Sequence, residues 1–462
     1  MTARWIRQAL LRLDDYRNGD KRLSYLPEVE RECALPRKEL LSRQWDRLAK
    51  TLDLAYEQVP FYRKRFQEAG ITPKSIQAPS DLPKIPFLTR EDLRNHQSEL
   101  MNSSIRPEDL IETATGGTTD SPVHLSLDRE CLARRRACTL HFQQWWGAGL
   151  GDRVASLWGA EQDYPRTESF KSRVRGWALG RALYLQSSYL NDGIMQGYYK
   201  KLVEFRPKTI QAYPTPLYLF ACFLEKNNLR LPIHSINVAA EYLYGYQREK
   251  IESVFSTRIY NWYGAREVGH IATECSIHQG MHLNCYGLYV EAVKDGKVVE
   301  NEPGDLIFTD LFNRAMPIIR YRIGDLGVIS ARACACGSAL PLLEELTGRS
   351  TDAFWKRDGS FTAGASFCGR IIKECQGIKQ LQIIQKDFER FQLNVVKGAS
   401  FREEEVEELK QRIGDFLHAQ LTFDVVFVDE VLPEPSGKVI FCKSEVGRAS
   451  IPDHEGGHTT SV

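Results

Sequence analysis

Thr115-Gly-Gly-Thr-Thr-Asp-Ser-Pro122 gathers glycines, hydroxyl side chains and a proline into eight consecutive positions. Glycine lets backbone N–H groups approach and converge on an oxyanion, and the hydroxyls add donors, so such a run can close around phosphate oxygens. By itself it is more often an ordinary surface loop. Its weight comes from four stretches further along the chain: Tyr263-Gly-Ala-Arg-Glu267, Tyr321-Arg-Ile-Gly-Asp325, Gly348-Arg349 and Pro435-Ser-Gly-Lys438.

Around these motifs the chain alternates. Between residues 150 and 330, short β-rich runs (153–157, 209–212, 235–239, 258–262) are separated by helical stretches (217–226, 247–255). That alternation predicts an α/β body with mainly parallel strands. From 282 to 330 strands dominate, punctuated by Gly287, Gly296, Gly304, Gly324 and Gly327, which reads as a β-rich subdomain. Upstream, Leu41, Trp45, Leu48, Leu52 and Tyr56 recur at helical spacing over 38–57, ahead of Pro60. Thr89 with Asp92 forms a capping box for a short helix. After Gly348-Arg-Ser-Thr-Asp352 the pattern becomes that of a small α+β domain. It has strands at 381–385, 391–396 and 423–428, and a helix with Val406, Leu409, Ile413 and Phe416 on one face behind a Ser400/Glu403 capping box. The expected organisation is an N-terminal domain over 1–349, a hinge at 350–352, a C-terminal α+β domain over 353–450 and a flexible tail over 451–462. No internal repeats are present.

With 462 residues the chain has room for about three domain-sized units. Its 61 basic and 60 acidic residues leave a net charge of +1, so no global field favours nucleic acid or an anionic membrane. No run of 18 apolar residues suggests a membrane span. Residues 1–12, with Trp5, Ile6, Leu10 and Leu11 among arginines, read as an amphipathic helix docked on the body rather than a secretion signal. Eleven scattered cysteines are not a disulfide scaffold, and a cytoplasmic location fits them. Cys275, Cys334 and Cys336, with His278 or His282, have the softness and spacing of a closed tetrahedral zinc site, which would be structural. Gly280 and Gly337 supply the turns that ligand knuckles need.

The order and spacing of these segments resemble the adenylate-forming superfamily, within it the phenylacetate–coenzyme A ligase branch and its capsule-biosynthesis (CapK-like) relatives. The resemblance runs from about residue 40 to 443. It includes Ala55-Tyr-Glu-Gln-Val-Pro-Phe-Tyr62, Leu82-Pro-Lys-Ile-Pro-Phe-Leu88, Ala239-Ala-Glu241 and Gly304-Asp-Leu-Ile-Phe-Thr309. It implies a large α/β domain and a small mobile one, and a reaction in which a carboxylic acid attacks the α-phosphate of ATP. The resulting acyl adenylate would pass its acyl group to coenzyme A, a carrier-protein thiol or an amine. Two anions must meet, so the site needs positive charge, N–H donors and a magnesium ion.

By the resemblance, Thr115, Gly116, Gly117, Thr118 and Thr119 would cradle the β- and γ-phosphates. Glu267 would ligate magnesium, and Asp325 would accept from the ribose hydroxyls. Arg349 would make a further ribose or phosphate contact. Ala240, Glu241, Tyr263 and Gly264 would wall the adenine and acyl pocket, and Lys438 would bridge the carboxylate and α-phosphate. Two departures stand out. The loop lacks the lysine that relatives carry before its proline, and Arg266 stands where relatives place a threonine or serine. Arg266 could bind phosphate or crowd the site, so a non-catalytic or amide-forming relative is the alternative. Trp158, Tyr213 and Tyr263 hint at an aromatic or amphipathic acid. Members of the branch share the metal-site cysteines, and the resemblance leans toward His282 over His278. A homodimer is compatible with these expectations.

Overall fold

The computed structural model describes residues 4–114, 123–158, 183–187, 190–330, 332–349, 353–357, 361–363, 377–398, 400–417, 421–432 and 441–446. The chain divides into two compact units, the first made mainly of residues up to Leu346 and the second mainly of residues from Thr347.

The first unit opens with helices. These are α1 (Arg4–Asn18), α2 (Arg22–Cys33), α3 (Arg37–Gln58), α4 (Pro60–Glu68) and α5 (Arg90–Asn95). Of the apolar positions read over 38–57, α3 buries Leu48 and Leu52, keeps Trp45 and Tyr56 partly buried and exposes Leu41, because the buried face is centred one position earlier, on Leu40, Leu48, Leu52 and Ala55. Pro60 occupies the first turn of α4, where its missing N–H costs nothing. The Thr89–Asp92 capping box is formed in both directions. As expected, α1 docks on the body: Arg7 Nε donates to the Gly151 carbonyl at 2.6 Å, Gln8 Nε2 to Leu150 at 3.0 Å, and Arg4 pairs with Asp152 at 3.1 Å.

A hairpin of β1 (Leu110–Ala114) and β2 (His124–Asp128) leads to α6 (Arg129–Trp145), whose first turn Asp128 caps. The predicted alternation continues as β3 (Val154–Trp158), β4 (Leu183–Gln186), α7 (Asp192–Phe205), β5 (Thr209–Ala212), α8 (Pro214–Lys226), β6 (Ser235–Val238), α9 (Gly245–Phe255) and β7 (Ile259–Ala265). Here β4, β3, β5, β6 and β7 pair in parallel. Their buried faces form an apolar core with Leu217, Phe220, Ile251 and Phe255 of the crossover helices.

The β-rich continuation is antiparallel. It contains β8 (Gly269–Glu274), β9 (Met281–Leu283), β10 (Leu288–Lys294), β11 (Lys297–Val298), β12 (Pro303–Asp310), β13 (Tyr321–Ser330) and β14 (Leu342–Arg349). Among the described residues these strands join the parallel set in one sheet of order β11-β10-β12-β13-β14-β9-β8-β7-β6-β5-β3-β4. The body and the β-rich part are therefore one hydrogen-bonded sheet, with β7 parallel to β6 and antiparallel to β8.

The segment Leu82–Leu88 is pinned to this sheet by a buried arginine. Arg320, 1% exposed, makes a two-pronged ion pair with Glu291 at 3.0 Å and donates from Nη1 to the Ile85 carbonyl at 2.6 Å. Leu88 then pairs beside β13 through Leu88 N–H to Arg320 O and Arg322 N–H to Leu88 O, at 3.0 and 2.9 Å. Phe87 lies under both the Arg320 and Arg322 guanidinium groups.

The second unit holds a short hairpin, β15 (Ala353–Trp355) with β16 (Phe361–Ala363). Beside it a four-stranded sheet has the order β19-β18-β17-β20, from β17 (Ile378–Gln385), β18 (Arg390–Lys397), β19 (Thr422–Phe427) and β20 (Cys442–Ser444). Its helix, α10 (Glu404–Leu417), buries Leu409 and Ile413. The helix begins at Glu404, not directly after Ser400, so the expected Ser400/Glu403 box is not its start. Phe401 explains the delay, because its ring packs on Phe427 at 5.7 Å with the Lys397 ammonium over it. Eight cysteines among the described residues are free thiols, whereas Cys442 is disulfide-bonded. No helix among the described residues is long and apolar enough to cross a membrane.

Two core groups make testable contributions to stability. Arg320→Met leaves Glu291 buried and unpaired, and should lower unfolding free energy by about 3–5 kcal/mol. Arg320→Met/Glu291→Gln should cost less than the single change; denaturant titration measures both. His270 lies stacked between Phe142 and Trp262. Burial first, then the neighbouring His141, pushes its pKa down to about 3. The unfolded chain therefore takes up a proton below about pH 6.5 that the folded chain refuses, and stability falls as pH drops from 6.5 toward 3. At pH 5 this group should account for about 2 kcal/mol of lost stability. His270→Phe should flatten that part of the pH profile.

Candidate active site

In parallel sheets, ligands gather at the carboxyl ends of the strands, where backbone and loops are free to contact them. Here β5 delivers Tyr213, β6 delivers Ala239-Ala240-Glu241, and β7 delivers Arg266-Glu267 at that edge. Neighbouring strand ends are tied together: Tyr213 N–H donates to Leu157 O at 3.3 Å and Ala239 N–H to Ala212 O at 3.2 Å. Trp158 and Tyr213 pack with ring centres 4.3 Å apart.

Ala240 has φ +71°, in the left-handed region that is costly for a residue with a Cβ. Next to it, Glu241 Oε2 accepts from the Thr215 N–H at 3.0 Å, in the first turn of α8. Glu241 therefore anchors the segment after β6 to a helix N-terminus. Gly264 is required by close packing, since a Cβ there would lie 2.8 Å from the Trp262 ring and 3.0 Å from the Gly269 carbonyl.

Glu267 and Asp325 are both buried, and a tyrosine hydroxyl meets each. Tyr321 OH donates to Glu267 Oε1 at 3.2 Å, and Tyr263 OH donates to Asp325 Oδ2. Tyr321 and Asp325 are four residues apart on β13, whose register against β12 is irregular between Arg322 and Leu326. Tyr263 and Glu267 belong to β7 and its turn, yet β14, β9 and β8 intervene between β13 and β7 in the sheet. The sheet must bend back for these contacts to form. Burial, then the nearby Glu267 carboxylate, pushes the Tyr321 hydroxyl pKa up, so it remains a proton donor to Glu267. Tyr321's link to Glu267 has no separate sequence signal, although the residue begins the motif read there.

Arg266 Nη1 donates to the Ala114 carbonyl at 3.4 Å. Ala114 ends β1 and immediately precedes the glycine-rich run. That run, with Thr115, Gly116, Gly117, Thr118 and Thr119, lies outside the described residues, as do the 350–352 hinge and Lys438. Arg349 ends β14, and its side chain is also outside them.

The cysteine–histidine set converges. Single ligand atoms from Cys275, His282, Cys334 and Cys336 all lie within 4.8 Å of one another. The Cys275 and Cys334 sulfurs are 3.7 Å apart, and Cys336 Sγ is 3.3 Å from His282 Nε2. His282 Nδ1 faces the Leu340 carbonyl at 3.2 Å, the partner that fixes the tautomer and leaves Nε2 for a cation. Backbone N–H groups of Ile277 and Ser338 point at the Cys275 and Cys336 sulfurs, at 3.5 and 3.4 Å. Gly280 and Gly337 carry φ of +100° and +84° in the two knuckles. His278 stands apart, with Nδ1 3.1 Å from Glu274 Oε2. The donor set suits a soft divalent cation with a closed shell.

The CapK C-terminal domain family matches residues 354–445. A phenylacetate-coenzyme A ligase of Thermus thermophilus is 28% identical over 351 residues, 71% of this chain and 74% of its own. Protein CapK of Staphylococcus aureus is 22% identical over 438 residues, 91% of this chain and 92% of its own. Among solved structures, 2-hydroxyisobutyryl-CoA ligase in the postadenylation state with R3-HIB-AMP superposes with a TM-score of 0.69 at 18% identity, over 86% of this chain and 88% of that one. At that identity the likeness is one of fold. The chain is a homologue of the phenylacetate-coenzyme A ligases and CapK, built on the fold of the adenylate-forming coenzyme A ligases.

Proposed function

We propose that this chain is an AMP-forming acid ligase that activates a carboxylic acid with ATP and passes the acyl group to coenzyme A. The observation that carries this reading is the pair of buried carboxylates, Glu267 and Asp325, each held by a tyrosine hydroxyl. The homology to phenylacetate-coenzyme A ligases supports it. In the first half-reaction a carboxylate oxygen attacks the α-phosphorus and pyrophosphate leaves. In the second, a thiol sulfur attacks the acyl carbon, AMP leaves and the thiol proton is released.

Glu267 suits a magnesium ion because a carboxylate shared with phosphate oxygens is the usual donor set for that cation. When bound, the metal neutralises phosphate charge during the attack. Tyr321 holds the Glu267 carboxylate in place, and Asp325 offers the acceptor that ribose hydroxyls need. Arg266, which donates to the Ala114 carbonyl, would in this reading meet phosphate. In this reading Lys438 would supply the ammonium that lowers repulsion between the carboxylate and the α-phosphate. In this reading the segment from 353 onward rotates between half-reactions about 350–352.

The four-ligand cluster is read as a structural zinc site, because three thiols and one imidazole leave no open position for a substrate. A carrier-protein thiol or an amine is the alternative acceptor to coenzyme A.

Incubation with ATP, magnesium and a panel of aromatic and aliphatic acids should give pyrophosphate exchange, and AMP with an acyl thioester once coenzyme A is added. Hydroxamate trapping without thioester would transfer the reading to the other acceptors; no exchange with any acid would reject adenylation. Lys438→Ala should reduce exchange by about 10²–10³-fold with an unchanged melting temperature, and full retained exchange would remove Lys438 from the mechanism. Elemental analysis should find one zinc per chain, lost in Cys334→Ser/Cys336→Ser and His282→Gln but kept in His278→Gln. A stable, metal-free wild-type protein would refute the zinc assignment.

A further inference from the structure

We propose that Arg135 is the positioning residue that sets the shape of the Arg266–Glu267 turn, and so the place where Glu267 presents its carboxylate to a magnesium–nucleotide complex. The inference rests on the reading of Glu267 as the magnesium-binding carboxylate.

Arg135 sits on α6, far from the motifs in sequence, and its side chain is only 13% exposed. Its guanidinium donates from Nη2 to the Glu267 carbonyl at 2.6 Å and from Nη1 to the Arg266 carbonyl at 3.2 Å. Nε and Nη2 also donate to Asp310 Oδ2, at 3.1 and 2.6 Å. The planar fork of arginine can reach all three acceptors at once; a lysine ammonium is a compact point charge and does not reproduce that geometry.

The anchor behind the fork is fixed. Asp310, 1% exposed, ends β12, and its other oxygen accepts the Phe312 and Asn313 N–H groups at 2.8 and 3.0 Å. The arginine stem lies directly against the turn, since a Cβ on Gly269 would be 3.1 Å from Arg135 Cδ.

Peptide planarity carries the effect to Glu267. Two successive carbonyls are held toward α6, so the N–H groups of Glu267 and Val268 point the other way. The Val268 N–H closes the turn on the Ala265 carbonyl at 3.3 Å. The Glu267 side chain reaches Tyr321 on β13. Rotation of either peptide would carry the carboxylate away from that partner. A buried ion pair such as Arg135–Asp310 is a weak device for stability compared with apolar packing. Its place beneath this turn points to geometry.

The test titrates magnesium into wild-type protein and Arg135→Lys, in each case with a fluorescent ATP analogue, and reads nucleotide binding; Glu267→Gln marks the full loss of the metal ligand. Arg135→Lys should raise the magnesium concentration for half-maximal binding by about 10–100-fold, the usual effect of removing a group that orients a ligand. Pyrophosphate exchange at saturating magnesium should fall far less. If Arg135→Lys loses thermal stability but keeps the wild-type magnesium dependence, its role is structural and the proposal is overturned. If Arg135→Lys does not fold, Arg135→Gln/Asp310→Asn, neutral on both sides of the pair, takes its place: a raised magnesium requirement supports the proposal and an unchanged one overturns it. If Glu267→Gln itself leaves the magnesium dependence unchanged, the reading of Glu267 fails and this proposal falls with it. A shift in Glu267→Gln without one in the Arg135 variants overturns this proposal alone.

Discussion

One strand carries the constraint on which the first unit depends. β7 hydrogen-bonds in parallel to β6 on one side and antiparallel to β8 on the other. A parallel neighbour requires a long crossover, but an antiparallel one requires only a turn. The chain therefore leaves β7 through a few residues at the same carboxyl edge where the crossover loops of β5 and β6 emerge. Arg266 and Glu267 are those residues. Their place follows from how the sheet changes from parallel to antiparallel, and Gly264 and Gly269 give the tight turn the space it needs.

The polar interior around this turn is connected rather than scattered. Glu267 is met by Tyr321, Asp325 by Tyr263, and the turn carbonyls by Arg135. Arg320 joins Glu291 to the Leu82–Leu88 segment, which in turn lies beside the start of β13. Buried charges of this kind persist only when they are paired and hydrogen-bonded. Their cost makes them poor sources of net stability and good determinants of register. Here they specify how β13 faces β7 across the strands that separate them in the sheet.

The cysteine–histidine cluster acts on the same strands. Cys275 follows β8, His282 lies within β9, and Cys334 and Cys336 fall between β13 and β14. A cation held by these groups would clamp the antiparallel part of the sheet. His282 is favoured by its geometry, with one ring nitrogen on the Leu340 carbonyl and the other beside Cys336. His278 is drawn to Glu274, which also accepts from Arg248 and from the Asn261 N–H.

The local order of elements was legible in the residues because local physics sets it. Alternating β-rich and helical runs foretold the parallel body, Pro60 foretold the end of α3, the Thr89–Asp92 box foretold a helix start, and the motifs named Tyr263, Glu267 and Asp325. The start of α10 lies later than its capping pattern suggests because Phe401 is committed to Phe427 and Lys397, contacts that no local pattern reports. Likewise, residue spacing could not choose between His278 and His282, since both lie within reach of the knuckle. Nor did any sequence signal mark Arg135 or Asp310, whose importance comes from acceptors 131 to 175 residues away along the chain. By itself the sequence determined the elements, their order and the chemical types assembled for the site, because propensity, capping and motif spacing act over short stretches. Only the tertiary structure decided which tyrosine meets which carboxylate, which histidine joins the cysteines and which arginine holds the turn. Those choices depend on a sheet that bends back on itself, bringing together groups that are distant in the chain.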